Sequence, residues 1–122
     1  MAKRKDAADP CALTIAGLDP SGGAGIAADL RAFEAADVWG CAVEAVLTVQ
    51  STAGLESSEA IAPKLLRAQL ENVLRHQEIR AIKTGALGSA ENVEVVEDAV
   101  RDASKIPLVV DPVMIATRRS AR

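Results

Sequence analysis

The sequence predicts an α/β fold: a parallel sheet in the order βαβαβαβ, built as a three-layer sandwich. Three observations predict it. Hydrophobic residues make up 49% and charged residues 25% of the 122-residue chain, a balance that folds around a core. The apolar pattern switches repeatedly between short runs of strand length and the i, i+3/i+4 spacing of a helix face. Finally, a single helix separates each strand from the next, so consecutive strands do not pair as hairpins and right-handed parallel crossovers follow.

The elements follow in order. "ALTIA" (12–16) is a short apolar run ended by glycine, as expected of a buried strand. Ile26, Leu30, Phe33 and Ala36 then mark one face of a helix. "AVEAVLTV" (42–49) is β-branched enough for a second strand. Pro63 suits the first turn of a second helix, where its missing N–H is not needed, and Leu66, Leu70 and Val73 carry the apolar stripe. "RAIKT" (80–84) reads as a third strand. Ser89 caps a third helix whose expected buried face is Val93, Val96 and Val100. "PLVV" (107–110) is the fourth strand, stopped by Asp111 and Pro112. One domain is expected over 12–117, with a flexible tail at 1–11 and a basic tail at 118–122.

Composition excludes several classes of function. Phe33 and Trp39 are the only aromatic residues, so the core is aliphatic and base stacking on nucleic acid has almost no platform. The net charge is −3, which gives no basic field over the whole chain. Basic residues gather instead at Lys3, Arg4 and Lys5 and at Arg118, Arg119 and Arg122, as in solvated tails. Cys11 and Cys41 are thirty residues apart and match no metal spacing; a chain with so few cysteines fits a reducing cytosol. "MAKRKDAADP" has no apolar stretch behind its basic residues, and no run approaches the ~20 apolar residues of a membrane span. The expectation is a cytoplasmic protein without nucleic-acid or membrane partners.

In open α/β sheets, ligands bind outside the carboxyl ends of the strands. Those ends are Gly17 to Gly25, Gln50 with Ser51, Gly85 with Ala86, and Asp111 to Met114, and polar residues and glycines gather there. The four stretches are expected to converge on one site. The first of them, "GLDPSGGAG", matches neither of two phosphate-binding patterns. Ile26 and Ala27 stand where a Walker A loop needs lysine and a hydroxyl, and the G-x4-G-G-x-G spacing is not G-x-G-x-x-G. What remains is a backbone able to pass close to a ligand at a helix N-terminus, with Asp29 in the first turn favoured by the helix dipole. A tight βα turn with Asp29 as a mere cap explains the same residues equally well.

The stretch "ALTIAGLDPSGGAGIAADLRAFEAADVWGCAV" resembles the opening of the hydroxymethylpyrimidine/phosphomethylpyrimidine kinases of thiamine biosynthesis, members of the ribokinase-like superfamily. The likeness continues through "LTVQSTAGL", "AQLENVL", "AIKTGALGS" and "LVVDPVMIAT" and covers about 12–117. Bacterial pyridoxine kinases share the first stretch. The resemblance implies the N-terminal half of a ribokinase-like fold and an enzyme that uses ATP and Mg2+ to phosphorylate the pyrimidine's hydroxymethyl oxygen and then the resulting monophosphate. It further implies that the glycine turn closes over the pyrimidine. By that resemblance Gly17 and Ala24 offer backbone contacts, Asp29 lies beside the ring, Gln50 reads the ring, Ala86 stands at a substrate contact, and Val113 packs on the ring face. An amide suits the role of Gln50, because it presents an acceptor and a donor together.

The chain departs from the family pattern at Leu18, at Asp37 and at Ala86, where the family commonly has methionine. The resembling kinases also continue well past the counterpart of Thr117, whereas this sequence reads "RRSAR" and stops. The resemblance therefore places the ATP pocket, the acidic metal segment and the catalytic anion hole outside this chain. No catalytic or metal-binding residue is expected within it, and the chain alone is expected to be inactive. Its expected partners are the pyrimidine, a second copy or a complementing C-terminal half. The alternatives are a non-catalytic pyrimidine-binding or partner-docking module, and part of a pyridoxine kinase.

Overall fold

A computed structural model of the chain describes residues 10–113. The expected tails fall outside that range, as does Met114, except that Pro10 and Cys11 open the first strand. The elements are β1 (Pro10–Leu18), α1 (Gly25–Ala35), β2 (Trp39–Ser51), β3 (Gly54–Ala60), α2 (Pro63–His76), β4 (Glu78–Thr84), α3 (Ala90–Asp102) and β5 (Leu108–Val110). They form one five-stranded sheet in the order β3-β2-β1-β4-β5.

The expected parallel pairings hold for β1 with β2, β1 with β4, and β4 with β5. The sheet as a whole is mixed, because β3 is antiparallel to β2 at one edge. Sequence reading missed β3 for a physical reason. "GLESSEA" is mostly exposed and has no apolar alternation, so its pairing rests on backbone hydrogen bonds rather than on a buried face. Ser51 pairs with Gly54 across a two-residue turn, the Ser51 hydroxyl accepts from Ala53 N at 3.1 Å, and Gly54 takes φ 130.

Alternation along β1 puts the helices on two faces. Leu13 and Ile15 point into a core with Val43, Leu66, Leu70, Ile82, Val95 and Val96, beneath α2 and α3. Thr14, between them, faces α1 and bonds Asp29. The aliphatic core expected from composition is present. Fully burying a side chain of this size contributes roughly 1.5–3 kcal/mol, so these contacts dominate the sheet's stability. Gly40 lets α1 approach the sheet, since a Cβ there would lie 2.7 Å from Leu30 and 2.8 Å from Phe33.

The helix boundaries follow their caps. Pro63 opens α2, and Leu66 and Leu70 are buried as the stripe requires. The Ser89 hydroxyl accepts from Asn92 N at 3.1 Å, the expected N-cap of α3. Two expectations are corrected. Val93 is 49% exposed, and the buried face of α3 is Asn92, Val95 and Val96, because the polar Asn92 takes the innermost position and sets the rotation of the helix. Of the α1 face, only Ile26 is buried and Ala36 is exposed. No helix among the described residues is long and apolar enough to cross a membrane.

Candidate functional site

Four of the strand ends point the same way because β1, β2, β4 and β5 are parallel, and β2 runs past its neighbours as far as Gln50 and Ser51. Together they frame one cleft of about 1170 Å³. Gly17, Ala24, Gln50, Ala86 and Val113 all line it. Asp29 does not. Its expected place in the first turn is also corrected, since α1 starts at Gly25 and its first turn holds no acidic residue. Asp29 sits one residue further on, where its Oδ2 accepts from Thr14 Oγ1 at 2.6 Å and from Lys83 Nζ at 2.7 Å.

The glycine turn is organised by Asp19, a buried carboxylate that sequence reading passed over. Its Oδ1 accepts from the amide of Ser21 at 2.9 Å and from the Ser21 hydroxyl at 2.7 Å, and its Oδ2 accepts from Gly23 N at 3.1 Å. The Ser21 hydroxyl, aided by the amides of Ser21, Gly23 and Ala24, holds the carboxyl below its ordinary value against the opposing effect of burial. The spacing carried a signal, since an aspartate two residues before serine and four before glycine is side-chain turn chemistry. Gly25 closes the turn at φ 62, and a Cβ there would overlap the carbonyl oxygen of Gly17. Only glycine fits. Arg31 reaches back to bond the Gly22 carbonyl from outside.

Gln50 stands beside Thr48, two residues back on the same strand. Thr48 Oγ1 donates to the Leu18 carbonyl at 2.6 Å and lies 3.2 Å from Gln50 Oε1. The hairpin of β2 and β3 is thus fastened to the start of the glycine turn. On the far side, Asn92 is fully buried, and its Nδ2 faces the carbonyls of Ala45 (3.4 Å), Ile61 (3.0 Å) and Leu87 (3.0 Å). It joins β2 at Ala45, the end of the hairpin at Ile61 and the β4–α3 loop that carries Ala86. At the fourth tip, Asp111 N donates to Thr84 O at 2.9 Å, and Asp111 itself lines the cleft.

Lys83 is the cation among the described cleft-lining residues, and it too was missed. A lysine inside a buried parallel strand is a signal in itself, because such a charge needs a partner. The cysteines do not belong to the cleft. Cys11 and Cys41 carry no disulfide; burial first, and then the neighbouring Cys11, push the Cys41 thiol up to about 11. Such a thiol is a poor nucleophile. Among the described residues no three His, Cys, Asp or Glu side chains gather as a metal site.

The arrangement can hold a small planar ligand between a glycine backbone and an amide side chain, with an ammonium at hand. Comparison with known proteins finds one family. The sequence model of a family described as phosphomethylpyrimidine kinase matches residues 19–121. The chain is 46% identical over 107 residues to the hydroxymethylpyrimidine/phosphomethylpyrimidine kinase of Synechococcus elongatus, covering 88% of this chain and 40% of that protein. It is 39% identical over 110 residues to the Rhizobium meliloti enzyme of the same description, covering 90% of this chain and 41% of that protein. Among solved structures, phosphomethylpyrimidine kinase from Clostridium difficile 630 superposes with a TM-score of 0.82 at 40% identity, over 88% of this chain and 46% of that one. The pyridoxal kinase of Staphylococcus aureus in complex with pyridoxal superposes with a TM-score of 0.76 at 33% identity, over 87% of this chain and 40% of that one. The chain thus spans less than half the length of the proteins it matches.

Proposed function

The chain belongs to the phosphomethylpyrimidine kinase family, and from that premise we propose that it supplies the acceptor-binding part of an enzyme that phosphorylates hydroxymethylpyrimidine and its monophosphate. The observation that carries this reading is the convergence of Gly17, Ala24, Gln50, Ala86 and Val113 on one cleft. A flat heteroaromatic ring fits such a place. The glycine backbone approaches one edge, the Gln50 amide pairs with a ring nitrogen and its neighbouring amino group, and Val113 supplies an apolar face.

Phosphoryl transfer requires positioning and charge stabilisation around the transferred group. The relatives' names make ATP the expected donor, and staphylococcal pyridoxal kinase has been solved with ADP and with AMP-PCP. Magnesium is part of the same proposal, but the described residues offer no carboxylate cluster to hold it, so no step through the metal is assigned to them. This chain alone is therefore proposed to bind acceptor without turnover. The remaining machinery of such an enzyme lies outside the described residues, and the exposed β5 edge at Val109 and Val110 offers a place where further chain can pair. A cytoplasmic setting is part of the same proposal.

A pyridoxal-type acceptor is the second reading, favoured by the fit to the staphylococcal enzyme but at lower identity than the pyrimidine kinases. Calorimetric titration of hydroxymethylpyrimidine and pyridoxal into the same preparation separates the two. Saturable heat with the pyrimidine at lower concentration supports the proposal, and tighter pyridoxal binding reverses the order.

A further inference from the structure

Lys83 has more hydrogen-bonding capacity than its partner uses. An ammonium carries three N–H donors. Among the described residues Lys83 meets one acceptor, Asp29 Oδ2, at 2.7 Å. That same oxygen accepts from Thr14 Oγ1 at 2.6 Å, and Thr14 is fully buried at the centre of β1. The carboxylate is therefore anchored from the sheet, and it in turn fixes an otherwise flexible lysine.

The position of the fixed charge is informative. The Lys83 side chain is only 22% exposed, and Lys83 lines the cleft. Its Nζ lies beside Gly85, where a Cβ would come within 3.1 Å of it. Of the acidic residues lining the cleft, Asp19 is saturated by the turn it organises and Asp111 stands on the exposed tip after β5. A purely structural ion pair at the α1–sheet junction needs no opening onto the cleft. This one has it.

Resting on the acceptor-site reading, we propose that Lys83 forms an anion subsite in the cleft that takes the phosphomonoester of a phosphorylated ring ligand, with Asp29 and Thr14 as its positioning residues. An uncharged hydroxymethyl group offers it no counter-charge. The subsite therefore distinguishes a phosphorylated ligand from its unphosphorylated parent within one cleft.

The test titrates the full chain, and its Lys83→Met and Lys83→Arg variants, with hydroxymethylpyrimidine and with its monophosphate. Lys83→Met is expected to weaken the monophosphate at least about tenfold, the size of a lost charged hydrogen bond, and to leave hydroxymethylpyrimidine within about twofold. Lys83→Arg is expected to recover most of the loss, and added salt to weaken the monophosphate in the parent chain more than in Lys83→Met. Equal losses for both ligands, or no loss for either, overturn the proposal. Should the parent chain bind neither pyrimidine, the functional reading fails, and inorganic phosphate then decides the subsite. A phosphate-dependent NMR shift of the Gly85 amide that disappears in Lys83→Met supports it, and no shift overturns it.

Discussion

The backbone of Gly17 and the α-carbon of Gly25 are packed so closely that a methyl group on Gly25 would overlap the Gly17 carbonyl oxygen. The end of β1 and the start of α1 are thus closed onto each other, with Leu18 and Gly25 also joined by an isolated β-bridge. Gly25→Ala is expected to destabilise the chain by about 1–3 kcal/mol, from strain at φ 62 and from the overlap. Chemical denaturation measures it. A neutral substitution would mean that the turn is not closed in this way.

Asp19 makes the turn sensitive to acid. Its carboxyl is held below 3.8 in the folded chain, so the ionised form is the one the turn stabilises. That contribution is fully present above the ordinary carboxylate value and fades as the pH falls through the lower folded value. Asp19→Asn is expected to lose about 1–2 kcal/mol near neutral pH, and the gap to the parent chain should narrow as the pH falls through the lowered folded value of Asp19. Paired denaturation curves at neutral and at acid pH test this, and a gap independent of pH contradicts it.

Asn92 is expected to behave as a structural hub. Asn92→Leu leaves the carbonyls of Ala45, Ile61 and Leu87 without this donor in a buried setting, at roughly 2 kcal/mol or more. The substitution also removes the unpartnered Oδ1, which limits the loss. Hydrogen exchange should rise in the β2–β3 hairpin and the β4–α3 loop together. A rise confined to α3 would show that the amide does not couple them.

The edge strand β5 leaves Leu108, Val109 and Val110 at 40%, 64% and 59% exposure. An edge without a strand partner among the described residues, beside exposed apolar side chains, invites association. Val109→Lys is expected to reduce the mass seen by light scattering. A compact monomer at micromolar concentration in the parent chain would remove the basis for this.

Much of the architecture was legible because its signals are local. The alternating periods located four strands and three helices, and Pro63 and Ser89 marked helix starts that the structure reproduces. β3 was not legible, since a charged, serine-rich edge strand buries too little to leave a pattern. The phase of α3 was misjudged at Val93 because the innermost position belongs to a polar residue, Asn92. At the site, the rim stretches were readable from the rule that ligands sit at strand ends. A lysine in a buried strand signals that it has a partner, but a single sequence does not say which, here Asp29 across 54 positions.

The glycine turn and Gln50 are proposed to face a common ring-shaped ligand. Titrating hydroxymethylpyrimidine into isotopically labelled chain, and following the amides of Gly17 and Ala24 with the Gln50 side-chain amide, tests it most directly. All three are expected to move along one saturation curve, and Gln50→Ala to flatten it. Shifts confined to the α2–α3 groove around Leu74 and Ala99, or none up to the solubility of the ligand, would contradict it.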